Sequence, residues 1–269
     1  MGKVSLAFYQ VDAFADQVFA GNPAAVCRLE TWLPDPVMQA IAAENNLSET
    51  AFFVPHEDGF HLRWFTPVSE VDLCGHATLA SAHVLVNHLD WRKPEIRFTT
   101  ASGELTVTVR ADRLEMNFPS RPGKIVPAPG ELVDGLGIQP RETRKARDLM
   151  AVVTTEEQVR ACRPDPDKLS QLDVTGIIIT APGDDPDIDF VSRFFAPREG
   201  IPEDPVTGSA HCTLIPYWAQ HLGKSRLVAR QVSRRGGTLF CELQGDRVVI
   251  AGRAVTYARG TISIPEAPV

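Results

Sequence analysis

The sequence predicts an α+β chain of two similar halves, each a curved, largely antiparallel, barrel-like sheet wrapped round one buried helix. Three observations lead there. Two helical segments lack a polar face, a set of motifs recurs in the same order, and a Pro- and Gly-rich stretch separates the two copies.

The first half opens with a strand-like run from Val4 to Phe14. A loop containing Gly21-Asn22-Pro23 follows, then an apolar strand from Ala24 to Leu29. Asp35-Pro36 reads as an N-cap followed by proline at the first helical position, and the helix it starts extends to about Asn45. Thr50 to Val54 and His61 to Phe65 read as short strands. The segment Gly75 to Val86 (GHATLASAHVLV) is small or apolar nearly all round, the pattern of a helix enclosed on every side. Strands are expected at Ile96–Thr100, Leu105–Arg110 and Leu114–Phe118.

The second half repeats this plan, with strand-like runs at Leu149–Val153, Gly176–Thr180 and Phe190–Phe195. A second nearly all-apolar helix begins at Gly208-Ser209-Ala210-His211 and reaches about Leu222, with Pro216 expected to kink it. Strands follow at Leu227–Val232, Leu239–Leu243, Val248–Ala251 and Thr261–Ile264. Phe65-Thr66-Pro67 parallels Phe195-Ala196-Pro197. Asp72 with Gly75-His76-Ala77 parallels Asp204 with Gly208-Ser209-Ala210. Ser102-Gly103-Glu104-Leu105 parallels Gly236-Gly237-Thr238-Leu239. Three pairs in one order at similar spacing mark an internal duplication. The stretch 119–129 has linker composition, so residues 1–118 and 130–269 are expected to be the two halves.

Composition excludes several classes. The 269 residues are 43% hydrophobic and 23% charged, ordinary for a globular protein, and the formal net charge of -7 gives no basic surface for nucleic acid. No apolar run approaches the ~20 residues that span a bilayer, and no signal peptide is read at the N-terminus. The five cysteines are scattered, odd in number and without a CxxC pair. A disulfide scaffold and a structural zinc site are therefore not expected, and reduced thiols in the cytoplasm are.

Candidate chemistry gathers at the starts of the two buried helices. First-turn N–H groups have no internal partner and the macrodipole makes that end positive, so Gly75 and Gly208, with no side chain in the way, suit a carboxylate. The same glycines would also serve as turn residues. The two starts are expected to point into one shared cleft. Asp72, Cys74 and His76 crowd one start; Asp204, Thr207, Ser209 and His211 crowd the other. Glu49 stands between a helix end and an apolar strand. Glutamate is usually a solvated surface residue, but apolar walls would raise its pKa and suit it to proton transfer near neutral pH.

Five runs carry a resemblance: Phe8 to Phe14 (FYQVDAF), Phe19 to Val26 (FAGNPAAV), Asn46 to Phe52 (NLSETAF), Asp72 to Thr78 (DLCGHAT) and Glu203 to His211 (EDPVTGSAH), together with Arg235-Gly236-Gly237. They resemble the phenazine-biosynthesis PhzF-like family, over essentially the whole chain. The resemblance implies the diaminopimelate epimerase-like fold, two barrel-like halves each with a central helix. It implies an isomerase or epimerase with Glu49 as the proton-transferring acid/base. His76, Asp204 and Ser209 would surround a small carboxylated substrate, and Gly75, Gly208 and nearby amides would bind carboxylate. No metal or organic cofactor is implied, and a homodimer is. Relative to the two-thiol racemases, Cys74 matches the first catalytic cysteine, whereas Thr207 stands where the second would fall. A lyase resembling hydroxyproline dehydratase and using Cys74 with Thr207, and a binding protein without turnover, stay open as alternatives.

Overall fold

The computed structural model describes residues 3–265. The chain forms two compact units, Met1–Asn117 with Ala251–Val269, and Phe118–Ile250.

In unit 1, β1 (Lys3–Ala13) pairs antiparallel with β2 (Asn22–Arg28). The turn between them closes at Gly21, whose φ is +66° and where a Cβ would lie 2.1 Å from Ala13 O, so only glycine fits. Helix α1 (Asp35–Asn45) follows. Its N-cap is Pro34 rather than the expected Asp35. The Asp35 carboxylate accepts from Arg63 Nη1 at 2.9 Å instead, which takes it away from the helix end. The helix stops at Asn46, in the left-handed region at φ 49°, and its N–H donates to Ala42 O. The chain then turns into β3 (Glu49–His56), which runs parallel to β2 with Ala24 opposite Glu49. Strand β4 (Gly59–Phe65) pairs antiparallel with β3, and the short β5 (Glu70–Val71) folds back on the end of β4. Helix α2 (Gly75–His88) comes next, and β6 (Glu95–Thr100) returns parallel to β4. The meander β7 (Gly103–Val109) and β8 (Leu114–Pro119) completes the run. Residues from His76 to Ala82 are all buried, and α2 packs on β1, β2 and β3.

Unit 2 begins at Phe118 and takes in the stretch expected to be a linker. Strand β9 (Lys124–Ile125) pairs with β10 (Glu142–Lys145), with α3 (Gly130–Leu136) between them. Strand β11 (Leu149–Val152) pairs antiparallel with β10. Two short helices, α4 (Glu156–Ala161) and α5 (Pro166–Leu169), lead to β12 (Ile177–Pro182), which is parallel to β11. Then come β13 (Phe190–Ala196), the short β14 (Ile201–Asp204), helix α6 (Gly208–Leu222), β15 (Arg226–Gln231) parallel to β13, and the hairpin strands β16 (Gly237–Gln244) and β17 (Arg247–Gly252). Leu132, Leu136, Val159 and Leu169 from the three short helices cover one face of β11, β12 and β13, while α6 packs on β15 and β16. Strand β11 is buried at every residue, the pattern of a strand covered on both faces.

The pairing sequence is the same in both units: a parallel neighbour, an antiparallel one, a short return strand, a buried helix, then a second parallel neighbour and a meander. The duplication read in the sequence is thus present in the hydrogen-bond topology. One element departs from it. Strand β18 (Ala254–Pro265) pairs with β1 along its whole length, Val4 opposite Ile264 and Ala13 opposite Ala254. The C-terminal segment therefore belongs to unit 1, not to the second half. Leu6 and Ile264 share one apolar cluster with Cys27, Phe52 and Phe65, which favours this pairing.

Helix α6 is continuous through Pro216. Proline has no N–H for the carbonyl four residues back. That carbonyl, on Cys212, accepts instead from Arg121 N at 2.8 Å. A further matched pair holds the short return strands. In unit 1 Arg63 grips Glu70 with both Nε and Nη2 at 2.7 Å. In unit 2 Arg193 grips Glu203 at 2.7 and 3.0 Å and also donates to Val159 O and Cys162 O at the end of α4. Each grip fixes the strand just before a central helix. No helix among the described residues is long and apolar enough to cross a membrane, and all five cysteines are free and buried.

Candidate active site

Glu49, Cys74 and His76 come together in unit 1. Glu49 is the first residue of β3, set by the left-handed turn at Asn46 and by Asn45 Nδ2, which donates to Thr50 Oγ1. Cys74 is the N-cap of α2 and His76 lies in its first turn. Glu49 Oε2 lies 3.0 Å from His76 Nε2, with both side chains nearly buried. The approach is too oblique for a hydrogen bond, and among the described residues neither atom has a hydrogen-bond partner. Charge holds the pair. On the other side of the ring, Asn22 Nδ2 and Cys74 Sγ lie 3.2 and 3.5 Å from Nδ1. Asn22 was not singled out in the sequence; its place after Gly21, in the Gly-Asn-Pro turn, was the available signal.

The electrostatics reverse one expectation. Burial alone pushes Glu49 up, but the charge of His76 beside it outweighs this, with the Cys74 thiol adding to the effect, and the carboxyl sits below its ordinary 4.5. Glu49 is therefore a carboxylate at neutral pH rather than a raised acid. Burial pulls His76 down, yet the neighbouring negative charges of Cys74 and Glu49 hold it well above 6.5. Burial, followed by the Glu49 charge, pushes the Cys74 thiol up to about 11. Cys74 is thus uncharged near neutrality, and the charge that keeps His76 protonated there is that of Glu49. The three residues offer ligating atoms within 4.8 Å of one another, a spacing that a divalent ion could use. To ligate an ion, Cys74 and His76 would each have to give up a proton.

In unit 2 the segment before α6 carries its own cluster. Thr207 is the N-cap of α6, but its hydroxyl donates to Asp204 Oδ2 and does not cap the helix. Cys74 likewise makes no side-chain cap on α2. Both central helices thus begin, at Gly75 and Gly208, with first-turn N–H groups not taken up by the N-cap side chain, an arrangement suited to an anion. Ser209 is half-buried in the first turn of α6. His211 is fully buried, and burial lowers it to about 4. Its Nδ1 donates to Thr207 O at 2.8 Å, which makes it a neutral support for the N-cap. Gln231, missed in the sequence, binds this segment at three points.

The two units differ at one decisive place. Thr50 pairs with Phe65 of Phe-Thr-Pro, and Ile177 pairs with Phe195 of Phe-Ala-Pro. The counterpart of Glu49 is therefore Gly176. A Cβ there would lie 2.1 Å from Cζ of Phe194, so the second half has an aromatic ring where the first has its carboxylate.

Comparison with known proteins gives the family and the fold. The family described as phenazine biosynthesis-like protein (PhzC-PhzF) matches residues 11–260. An uncharacterized isomerase of Pseudomonas aeruginosa is 51% identical, with 97% of this chain and 100% of that protein covered. The crystal structure of a PhzF-family phenazine biosynthesis protein from Enterococcus faecalis has TM-score 0.94 and 49% identity, covering 96% of this chain and 99% of that one. A hydroxyproline epimerase from Agrobacterium vitis, at 14% identity, TM-score 0.59 and 96% and 91% coverage, shares the fold. Fold and relatives together define an isomerase on an epimerase-like scaffold. The chain belongs to the phenazine biosynthesis-like family.

Proposed function

We propose that this isomerase moves a proton on a small carboxylated substrate without a cofactor, with Glu49 as the acid/base. The observation that carries the reading is the buried Glu49 carboxylate, facing His76 at 3.0 Å with no hydrogen bond to Oε2 among the described residues. Glu49 starts as the proton acceptor because it is ionised. His76, positively charged beside it, stabilises negative charge that develops on the substrate as the proton leaves. In unit 1 the amides at Gly75 suit a carboxylate; in unit 2 the amides at Gly208, with Asp204 and Ser209, offer polar partners for a carboxylated substrate.

A threonine, Thr207, where a second thiol would fall, and a glycine, Gly176, as the counterpart of Glu49, favour a one-base reaction, in which the proton leaves and returns on one face and a double bond is relocated. Epimerisation by two bases is less well supported. Elimination through Cys74 and Thr207 is disfavoured by a thiol held at about 11 and by a hydroxyl committed to Asp204. The chain is expected to work in the cytoplasm as a homodimer.

The test is incubation with metabolite pools in deuterated water, followed by mass spectrometry for a small acid that gains deuterium. Gain with wild-type protein and none with Glu49→Gln supports the reading. Ligand affinity without exchange in any pool would make the protein a binder instead.

A further inference from the structure

Gln231 ends β15 and is wholly buried. Its Nε2 donates to Asp204 O at 2.8 Å and to Thr207 Oγ1 at 3.2 Å, and its Oε1 accepts from Thr207 N at 2.9 Å. These three bonds allow one orientation of the amide. Reversed, it would set oxygen against oxygen at Asp204 and N–H against N–H at Thr207. They also fix the Thr207 hydroxyl. Its oxygen accepts a hydrogen bond from Gln231 Nε2, and its own single hydrogen is donated to Asp204 Oδ2. The donors run in one direction, from Gln231 through Thr207 to a carboxylate, and the last bond is charge-assisted.

The repeat supplies an internal control. Phe190 pairs with Ala229 in unit 2 as Phe60 pairs with Phe98 in unit 1, so the counterpart of Gln231 is Thr100. Thr100 Oγ1 donates to Gly103 O within its own turn and does not reach the segment before α2. Both turns carry a serine tie to that segment, Ser102 Oγ to Asp72 O at 2.8 Å and Ser233 Oγ to Pro205 O at 2.7 Å. The serine tie recurs with the fold. The glutamine bonds occur only where Asp204 and Thr207 stand.

We propose that Gln231 is a positioning residue, aiming the Thr207 hydroxyl at Asp204 and so orienting that carboxylate toward the substrate. The proposal rests on the reading of Asp204 as a substrate-binding group. Gln231→Glu tests it at a pH where the new carboxyl is ionised, because the carboxylate keeps the shape and the acceptor for Thr207 N–H but has no proton to donate. In the wild type, the Thr207 hydroxyl proton should appear by NMR as a slowly exchanging downfield signal, absent from Thr207→Val. In Gln231→Glu it should move or vanish while the Thr207 amide stays protected from exchange. If that variant does not fold, Gln231→Met gives the same hydroxyl readout.

With the acid found by deuterium exchange, Gln231→Glu should slow turnover by about 10²-fold, the size of effect a misplaced group produces. Adding it to Thr207→Val should cost nothing further, because both changes break one chain of bonds. A wild-type spectrum without that hydroxyl signal, a Gln231→Glu spectrum that keeps it, or additive losses in the double variant would overturn the proposal. The NMR result needs no substrate, so it stands or falls apart from the catalytic reading.

Discussion

Glu49 and Gly176 hold the same place in the two halves, each just before the residue that pairs with the first Phe of a Phe-x-Pro motif. Of these two places, only that in the first half carries a carboxylate. Glu49→Gln keeps the shape without the basic oxygen and should lower turnover by about 10²–10⁴-fold with its melting temperature little changed. Wild-type deuterium exchange by this variant would remove Glu49 from the chemistry. Gly176→Ala should instead damage the fold, because its Cβ meets the Phe194 ring. Overpacking of this kind costs about 1–3 kcal/mol, measurable by urea unfolding.

The pH dependence follows from the Glu49–His76 pair. Glu49 lies below 4.5 when folded, so its contribution to stability is complete above 4.5 and fades as pH falls through the lowered value. His76 lies well above 6.5, so its contribution is complete below 6.5 and fades as pH rises through the raised value. The stability difference between wild type and Glu49→Gln should therefore be largest between 4.5 and 6.5. Imidazole NMR should find His76 protonated at pH 7 in the wild type and titrating lower in Glu49→Gln. His211 acts in the opposite sense: lowered to about 4 and uncharged when folded, it should drain stability as pH falls from 6.5 toward 4.

Cys74→Ser should keep most of the turnover, since the thiol is uncharged near neutrality and lines the ring of His76. A variant as inactive as Glu49→Gln, with folding intact, would bring the elimination reading forward.

Chelation should leave turnover unchanged, and metal analysis of the purified protein should find well under one ion per chain. Stoichiometric zinc bound at Glu49, Cys74 and His76 would require a different mechanism.

The two arginine grips should differ in strength. Arg193 is 9% exposed, and its removal leaves Glu203 and two carbonyls without it. Arg193→Met should cost about 3 kcal/mol, in the range for breaking a buried ion pair. Arg63 holds more exposed partners, and Arg63→Met should cost less in the same denaturation assay.

Much of this was legible in the sequence because apolar periodicity is strong where an element is enclosed. Helices α2 and α6 and strands β11, β12 and β13 declared themselves in this way. Elements that are short or polar did not. Glu142–Lys145 and Ile201–Asp204 become strands through their neighbours rather than through their own residues. Helix α4 did carry a local sign, the capping box of Thr155 and Gln158, which went unread. Glu49, His76 and Asp204 could be named from their motifs. The lowered pKa of Glu49 could not be, because it depends on a partner 27 residues away reaching 3.0 Å. Gln231 was hidden for a related reason: in an alternating strand a buried glutamine looks like any other residue until the segment it grips is known.

The pairing of β18 with β1 sets an order of assembly. Unit 2 is one unbroken stretch, Phe118–Ile250, whereas unit 1 waits for a strand that follows unit 2 in the sequence. During synthesis the later repeat can close while the earlier one, already carrying Glu49 and His76, still shows an open edge along β1. Such an edge invites pairing with another chain. The unit that carries Glu49 and His76 is thus sealed by β18, a strand synthesised after the whole of unit 2.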